Sequence, residues 1–269
     1  MKVLFVSSAN KIGISPNVRS QGEALKKYGV DVEYFGIKGQ FVGGYPAAIF
    51  QINKFIKKFK PDVIHAHFSI SGYVAFLAGA KPLVITLMGS DIMRFFWDRH
   101  ILSYLHRIKP ELKLIVKSDE MRKLIELQDV SIVPNGVNLS VFKPLSKIDS
   151  IHKLGWDINK THVLFAASPT RFEKNYPLAV NAINLLNDSN IQFHHLSGVE
   201  HGEIATILNA SDVVLLTSLR EGSPNIVKEA MACNRPVVAT KVGDVAWLFG
   251  NEPGYFLRFC FILMWDFVS

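Results

Sequence analysis

Short β-branched runs alternate with longer stretches of helical period along the whole 269-residue chain, and this alternation leaves little choice of architecture. Val3–Ser7, Val32–Phe35, Val63–Ala66, Leu83–Leu87, Leu114–Val116 and Ser131–Val133 read as strands, and Val18–Tyr28, Ala47–Phe59, Ile70–Ala78, Phe95–Ile108 and Glu120–Leu127 as helices between them. Strands that are apolar on both faces must be covered on both, so the pattern calls for a parallel sheet with helices on either side. Pro134 to Pro144 carries turn chemistry without periodicity and marks a connection near residues 135–150. A second series follows it, with strands at His162–Ala167, Gln192–Leu196, Val213–Leu216 and Val237–Thr240 and helices at Leu178–Leu186, Glu203–Asn209 and Asn225–Ala232. The expectation is α/β with two Rossmann-like domains, 1–147 and 148–269. Open parallel sheets take ligands at the carboxyl ends of their strands, and two facing sheets would share one cleft.

Charge is divided unevenly between these halves. Met1–Lys147 holds 21 Lys and Arg against 11 Asp and Glu, a balance of +10, whereas Ile148–Ser269 is at −3. The first half is expected to meet something anionic. Nucleic acid is a poor candidate, because aromatic and basic residues are not interleaved as its readers require. At 49% hydrophobic and 20% charged the chain is not disordered. Two cysteines, Cys233 and Cys260, supply neither a disulfide framework nor a thiolate metal site. The apolar run at Met1–Ser7 is too short for a signal peptide, and Lys81-Pro82 interrupts the longest apolar stretch, so a cytoplasmic protein without a membrane span is expected. A helix around 49–60 sets Ile52, Phe55, Ile56 and Phe59 against four lysines, which suits either a core helix with a solvated lysine face or an anionic membrane surface.

The richest segment is Thr217-Ser218-Leu219-Arg220-Glu221-Gly222-Ser223-Pro224-Asn225-Ile226-Val227-Lys228-Glu229-Ala230. It follows an apolar strand and opens a helix, with Ser223 suited to the N-cap and Pro224 to the first helical position. The N–H groups of Asn225, Ile226 and Val227 would then point out of the helix beside the positive end of its dipole, a phosphate site. Glu221 before the helix and Glu229 within it add carboxylates that accept hydrogen bonds from sugar or ribose hydroxyls. The plainer alternative is a capping loop with a solvated helix glutamate.

The Glu-x7-Glu spacing around Gly222-Ser223-Pro224 resembles the signature of glycosyltransferase family 4, enzymes of GT-B fold that use nucleotide sugars. Asp62-Val63-Ile64-His65-Ala66-His67, Leu87-Met88-Gly89-Ser90-Asp91, Val133-Pro134-Asn135-Gly136-Val137-Asn138 and Arg235-Pro236-Val237-Val238-Ala239-Thr240 resemble family segments in the expected order. The resemblance implies that Glu229 holds the donor ribose, that Glu221 contacts the transferred sugar, and that the amides after Gly222, from Ser223 through Val227, hold the diphosphate. It assigns Arg171 and Lys174, in the first loop of the second domain, to neutralise that diphosphate as the leaving group gains charge. Lys174 is the firmer of the two, since the arginine stands closer to the lysine than in the commoner pattern. On the acceptor side it points to Gly13, His67 and Asp91, with an ordinary turn glycine and a helix cap as the alternatives for Gly13 and Asp91.

What the resemblance implies is transfer of a sugar from a nucleoside diphosphate sugar to a hydroxyl of a glycan or lipid-linked acceptor, with retention at the anomeric carbon and with no metal or cofactor. Peripheral contact with an anionic membrane is a further expectation. A nucleotide-sugar epimerase and an impaired homologue that only binds nucleotide or a partner are the competing readings. The second rests on Arg258–Ser269, an apolar run without caps where family members continue, from which a truncated second domain is expected.

Overall fold

The computed structural model describes residues 1–10, 13–39, 44–94, 96–127, 129–251 and 254–258. Cys260 and nearly all of the apolar run 258–269 therefore lie outside the described residues. The chain divides into two compact units, the first Met1–Asn135 and the second beginning at Gly136.

In the first unit β1 (Lys2–Asn10) is followed by the short β2 (Gly13–Ile14), α1 (Pro16–Lys27), β3 (Asp31–Ile37) and α2 (Gly44–Phe59). Next come β4 (Val63–His67), α3 (Ser69–Leu77), β5 (Leu83–Thr86), α4 (Ser90–Arg94), α5 (Phe96–Ile108), β6 (Leu112–Val116), α6 (Asp119–Ile125) and β7 (Ser131–Ile132). The parallel strands lie in the order β3-β1-β4-β5-β6-β7, and β2 turns back antiparallel on the end of β1. Leu4, Phe5 and Val6 are buried in succession, as expected of a central strand covered on both faces. In α2, Ile52 is fully buried and Phe55, Ile56 and Phe59 pack against the core, while Lys54, Lys57 and Lys58, and Lys60 just beyond the helix, are exposed. The lysine-rich helix is thus a core helix with a solvated charged face.

The second unit contains α7 (Lys147–Leu154), β8 (Thr161–Phe165), α8 (Tyr176–Leu186), β9 (Ile191–His195), α9 (Ile204–Ala210), β10 (Val213–Leu216), α10 (Asn225–Ala232), β11 (Val237–Thr240), α11 (Val245–Phe249) and β12 (Tyr255–Arg258). Its five strands are all parallel, in the order β12-β11-β10-β8-β9. Side chains alternate between two cores: Leu164, Val214 and Leu216 on one face, Val163, Phe165 and Leu215 on the other.

The second unit departs from the sequence reading in α11 and β12, which were not expected, and in the stretch that joins the units. Residues expected to form a bare connection include α7, which Ser146 caps by accepting from the Asp149 N–H at 3.2 Å and Gly155 ends in the left-handed conformation. The stretch before α7 is held down rather than loose. Phe142 is buried in the second unit's core, and Asn209, itself fully buried, accepts from Leu145 N–H at 2.8 Å and donates to the Lys143 carbonyl at 3.1 Å. No described helix is long and apolar enough to cross a membrane.

Replacing Asn209 by Leu should leave the Leu145 N–H and the Lys143 carbonyl without this partner. Both groups lie on exposed residues where water can replace the lost partner, so the expected cost is about 0.5–1.5 kcal/mol for each hydrogen bond lost, read from urea unfolding, together with new protease cleavage between residues 136 and 146.

Candidate functional site

The strand order of the second sheet locates a site before any side chain is considered. From β8 the chain crosses to β9 on one side, and from β10 to β11 on the other, so the loops leaving these two adjacent strands diverge and open a crevice at their carboxyl ends. The loops are 166–175 after β8 and 217–224 after β10, and they contain Arg171, Lys174, Glu221 and Gly222.

These loops are stitched to each other. Asn175 adopts a left-handed conformation (φ 51°) where the turn Phe172–Lys174 runs into α8. The Thr217 hydroxyl donates to the carbonyls of Lys174 and Asn175, both at 3.0 Å, and Leu219 N–H donates to the Glu173 carbonyl at 2.9 Å. Lys174, only 8% exposed, forms an ion pair with Glu221 Oε1. The Ser218 hydroxyl donates to the same oxygen at 2.7 Å, and Thr240 fixes Ser218 by donating to its carbonyl at 2.6 Å. Arg171 is different: it is largely exposed and paired with Glu173, with Nε 2.8 Å from Oε1.

The start of α10 differs in detail from the expectation. Pro224, not Ser223, is the N-cap residue. The Ser223 hydroxyl is taken by a stronger acceptor, donating to Asp244 Oδ2 at 2.6 Å while it accepts from Lys228. Val227 is fully buried and its N–H donates to the Pro224 carbonyl at 3.3 Å, which withdraws it from the expected group of ligand-facing amides. Asn225 and Ile226 remain at the positive end of the helix.

Asp244 and Gly243, in the loop after β11, were not singled out from the sequence, although a loop at the carboxyl end of a strand was the place to look. Gly243 has φ 55°, and a Cβ there would lie 2.7 Å from the Gly222 carbonyl oxygen and 2.8 Å from that of Glu221, so only glycine lets the two loops come this close. Asp244 is buried 3.8 Å from the Lys228 ammonium, and its Oδ1 has no hydrogen-bond partner among the described residues. Burial raises the Asp244 carboxyl and lowers the Lys228 amine from their usual ranges. Glu229, 7% exposed, is pushed up to about 7 by burial, with the charge of Lys228 working in the opposite sense.

In the first unit the corresponding switch lies between β1 and β4. Gly13 sits in β2 with φ 81°, a backbone setting that glycine takes without strain. His67 ends β4 with its ring stacked on His65, centroids 4.3 Å apart, and against Phe5 at 4.7 Å. Its Nε2 is buried without a partner among the described residues, while His65 Nε2 meets the Thr86 hydroxyl at 2.7 Å. Burial holds His67 well below the usual histidine range and His65 at about 4, so both are neutral at pH 7. Phe68, next in the chain, has φ 83° and ψ 145°, a strained setting that costs a bulky residue on the order of 1–3 kcal/mol. Asp91 is fully buried and gathers the N–H groups of Met88, Gly89, Ile92 and Ser69 at 2.9–3.2 Å. It ties the β5–α4 loop to the start of α3, the capping alternative, and burial raises its carboxyl above the usual range. Among the described residues, no group of three or more His, Cys, Asp or Glu is placed to hold a metal ion.

Comparison with known proteins agrees with this arrangement. Residues 5–126 match the family described as "Glycosyl transferase 4-like" and residues 173–258 the family "Glycosyl transferases group 1". The chain is 29% identical over 219 residues to TuaC of Bacillus subtilis (strain 168), a glycosyltransferase named for teichuronic acid biosynthesis; the match covers 71% of this chain and 56% of that protein. It is 27% identical over 253 residues to an Escherichia coli UDP-Gal:alpha-D-GlcNAc-diphosphoundecaprenol alpha-1,3-galactosyltransferase, covering 78% of this chain and 65% of that one. The chain thus spans less than two thirds of the length of either relative. Among solved structures, sucrose-phosphate synthase from Thermosynechococcus elongatus superimposes with TM-score 0.72 at 16% identity, covering 96% of this chain and 85% of that one. Anabaena Alr3699/HepE, solved with UDP and glucose, does so with TM-score 0.68 at 18% identity, covering 96% and 86%. With the parallel sheets these likenesses show the GT-B fold, and the two family matches in succession show that the chain belongs to the family 4, group 1 glycosyltransferases.

Proposed function

We propose that the second unit binds a nucleoside diphosphate sugar and that the protein transfers the sugar to a hydroxyl of a glycan or lipid-linked acceptor. The observation that carries this reading is the buried Lys174–Glu221 pair beside the start of α10, at the switch point of the second sheet. A diphosphate seated on the amides of Ser223, Asn225 and Ile226 meets the helix dipole and the Lys174 ammonium together. As the bond from the anomeric carbon to the diphosphate breaks, negative charge grows on the leaving oxygen, and a fixed cation stabilises that charge. Lys174, held out of water, therefore supplies the larger part of the charge stabilisation and the exposed Arg171 the smaller, in place of a metal ion. Gly222 lets the phosphates approach the backbone, and Pro224 sets the first turn of α10.

Both bonds recorded for Glu221 use Oε1, which leaves Oε2 for a hydroxyl of the transferred sugar. Glu229 accepts from the ribose hydroxyls. Attack by the acceptor from the face that the diphosphate leaves, with the diphosphate taking the acceptor proton, gives retention without a protein nucleophile. His67 and Gly13 serve the acceptor side, and Asp91 serves it through the loop it anchors. The named acceptor of the Escherichia coli relative, a diphosphoundecaprenol-linked sugar, supports a lipid-linked acceptor and a place of action beside a membrane.

Lys174→Ala should lower kcat/KM for transfer on the order of 10²–10³-fold and Arg171→Ala only several-fold, read from released nucleotide. Equal effects would remove Lys174 from its role, and an inverted anomeric centre in the product would overturn front-face attack.

Glu229 makes the site pH-dependent. Ribose hydroxyls donate to the ionised carboxylate, so donor affinity should rise about tenfold between roughly pH 6 and 8 and be flat in Glu229→Gln. Stability should move the opposite way. The folded state holds the Glu229 proton up to about 7 whereas the unfolded chain releases it near the ordinary glutamate value of 4.5, so this contribution is full at low pH and is lost as pH rises through that window. Urea unfolding of Glu229→Gln should lack that decline, a difference of about 1–3 kcal/mol at neutral pH and above.

A further inference from the structure

One face of the first unit is apolar where the fold does not need it. Helix α5 commits its inner side to the core: Leu102 is fully buried, the Ser103 hydroxyl donates to the Ile125 carbonyl at 3.0 Å, and His106 Nδ1 donates to the Leu112 carbonyl at 3.0 Å. Asp98, the helix's only acidic residue, is also turned inward, accepting from the hydroxyls of Ser69 and Tyr73, both at 2.9 Å. The outer side carries Trp97, Ile101, Tyr104 and Ile108, exposed to 64%, 46%, 63% and 47%. At 100° per residue these four fall within about 60° of arc and run about 16 Å along the axis, a continuous ridge. Its shoulder and end carry His100, Arg107 and Lys109, all exposed.

We infer that this ridge of α5 docks on an anionic lipid surface. Trp and Tyr have an apolar body with a polar edge and settle at the boundary between headgroups and acyl chains, with the two isoleucines inserting between them. Arg107 and Lys109 fit acidic headgroups, and the surrounding half of the chain has a net charge of +10. The same charge argues against pairing with a second copy, which would bring like charges face to face. Helix α2 contributes attraction only, since its apolar residues are turned into the core. The inference rests on α5 and joins the reading above at one point: an enzyme bound to a membrane through this ridge meets an acceptor held in that membrane.

The test is co-sedimentation of the full chain with phosphatidylcholine vesicles with and without phosphatidylglycerol, at low and high salt. Binding should require phosphatidylglycerol and weaken with salt. The double variant Ile101→Glu/Tyr104→Glu should lose at least about tenfold in vesicle affinity. The ridge side chains are exposed, so the double variant should melt like the unaltered chain and keep any stabilisation by UDP. Retention of UDP stabilisation by a variant that no longer binds vesicles separates this inference from the donor-site reading. Vesicle binding undiminished in the ridge variant, or absent in the unaltered chain, would overturn it. So would sedimentation velocity showing a dimer that the variant dissolves, which would make the ridge a contact between copies.

Discussion

Two opposite charges held almost out of water, Lys174 and Glu221, determine how the second unit presents its crevice. Removing either ion from water costs several kcal/mol, and the cost is offset only while the two remain together with their hydrogen bonds made. The pair therefore fixes the relative position of the loops after β8 and β10, which bonds from the Thr217 hydroxyl and the Leu219 N–H already draw together. Gly243 belongs to the same constraint, because the third loop closes on Glu221 and Gly222 only where a side chain is missing.

Around this fixed centre the remaining groups titrate easily. Glu229, Asp244 and Lys228 are each pushed by burial toward their neutral forms, and Asp244 keeps an oxygen without a partner among the described residues. A site built in this way stands ready for a ligand that brings both negative phosphates and hydroxyl donors: the phosphates favour the charged lysine and the hydroxyls favour the charged glutamate. Pre-placed charges of this kind need little rearrangement when the ligand arrives.

Much of this was legible in the residues. Buried parallel strands are apolar without interruption and announce themselves, so Val213–Leu216 and Val237–Thr240 emerge with the bounds the sequence suggests, as does α10. The spacing of Glu221 and Glu229 is a local property and survives folding for the same reason. What was not legible depends on partners distant in sequence. Ser223 has the chemistry of an N-cap, and only the arrival of Asp244, 21 residues later, takes its hydroxyl elsewhere. Asp91 reads as a capping carboxylate or a ligand-binding one, and its bond from Ser69, 22 residues earlier, is not visible in the local sequence. Helix α5 shows the limit of periodicity: it is apolar on two sides, and period alone does not say which side the core takes. Helix α7 was missed although its cap, Ser146, and its terminator, Gly155, were both in view, because turn residues before it outweighed eight residues of helical period.

The most direct measurement is a thermal-shift titration with UDP, GDP and ADP of the unaltered chain beside Lys174→Ala. The account predicts a saturable rise in melting temperature with one nucleoside diphosphate, growing with ligand concentration as binding to the folded state requires, and its loss in Lys174→Ala. A rise of the same size in both proteins would place the diphosphate elsewhere and contradict the account, as would the absence of any rise in a chain that melts cooperatively.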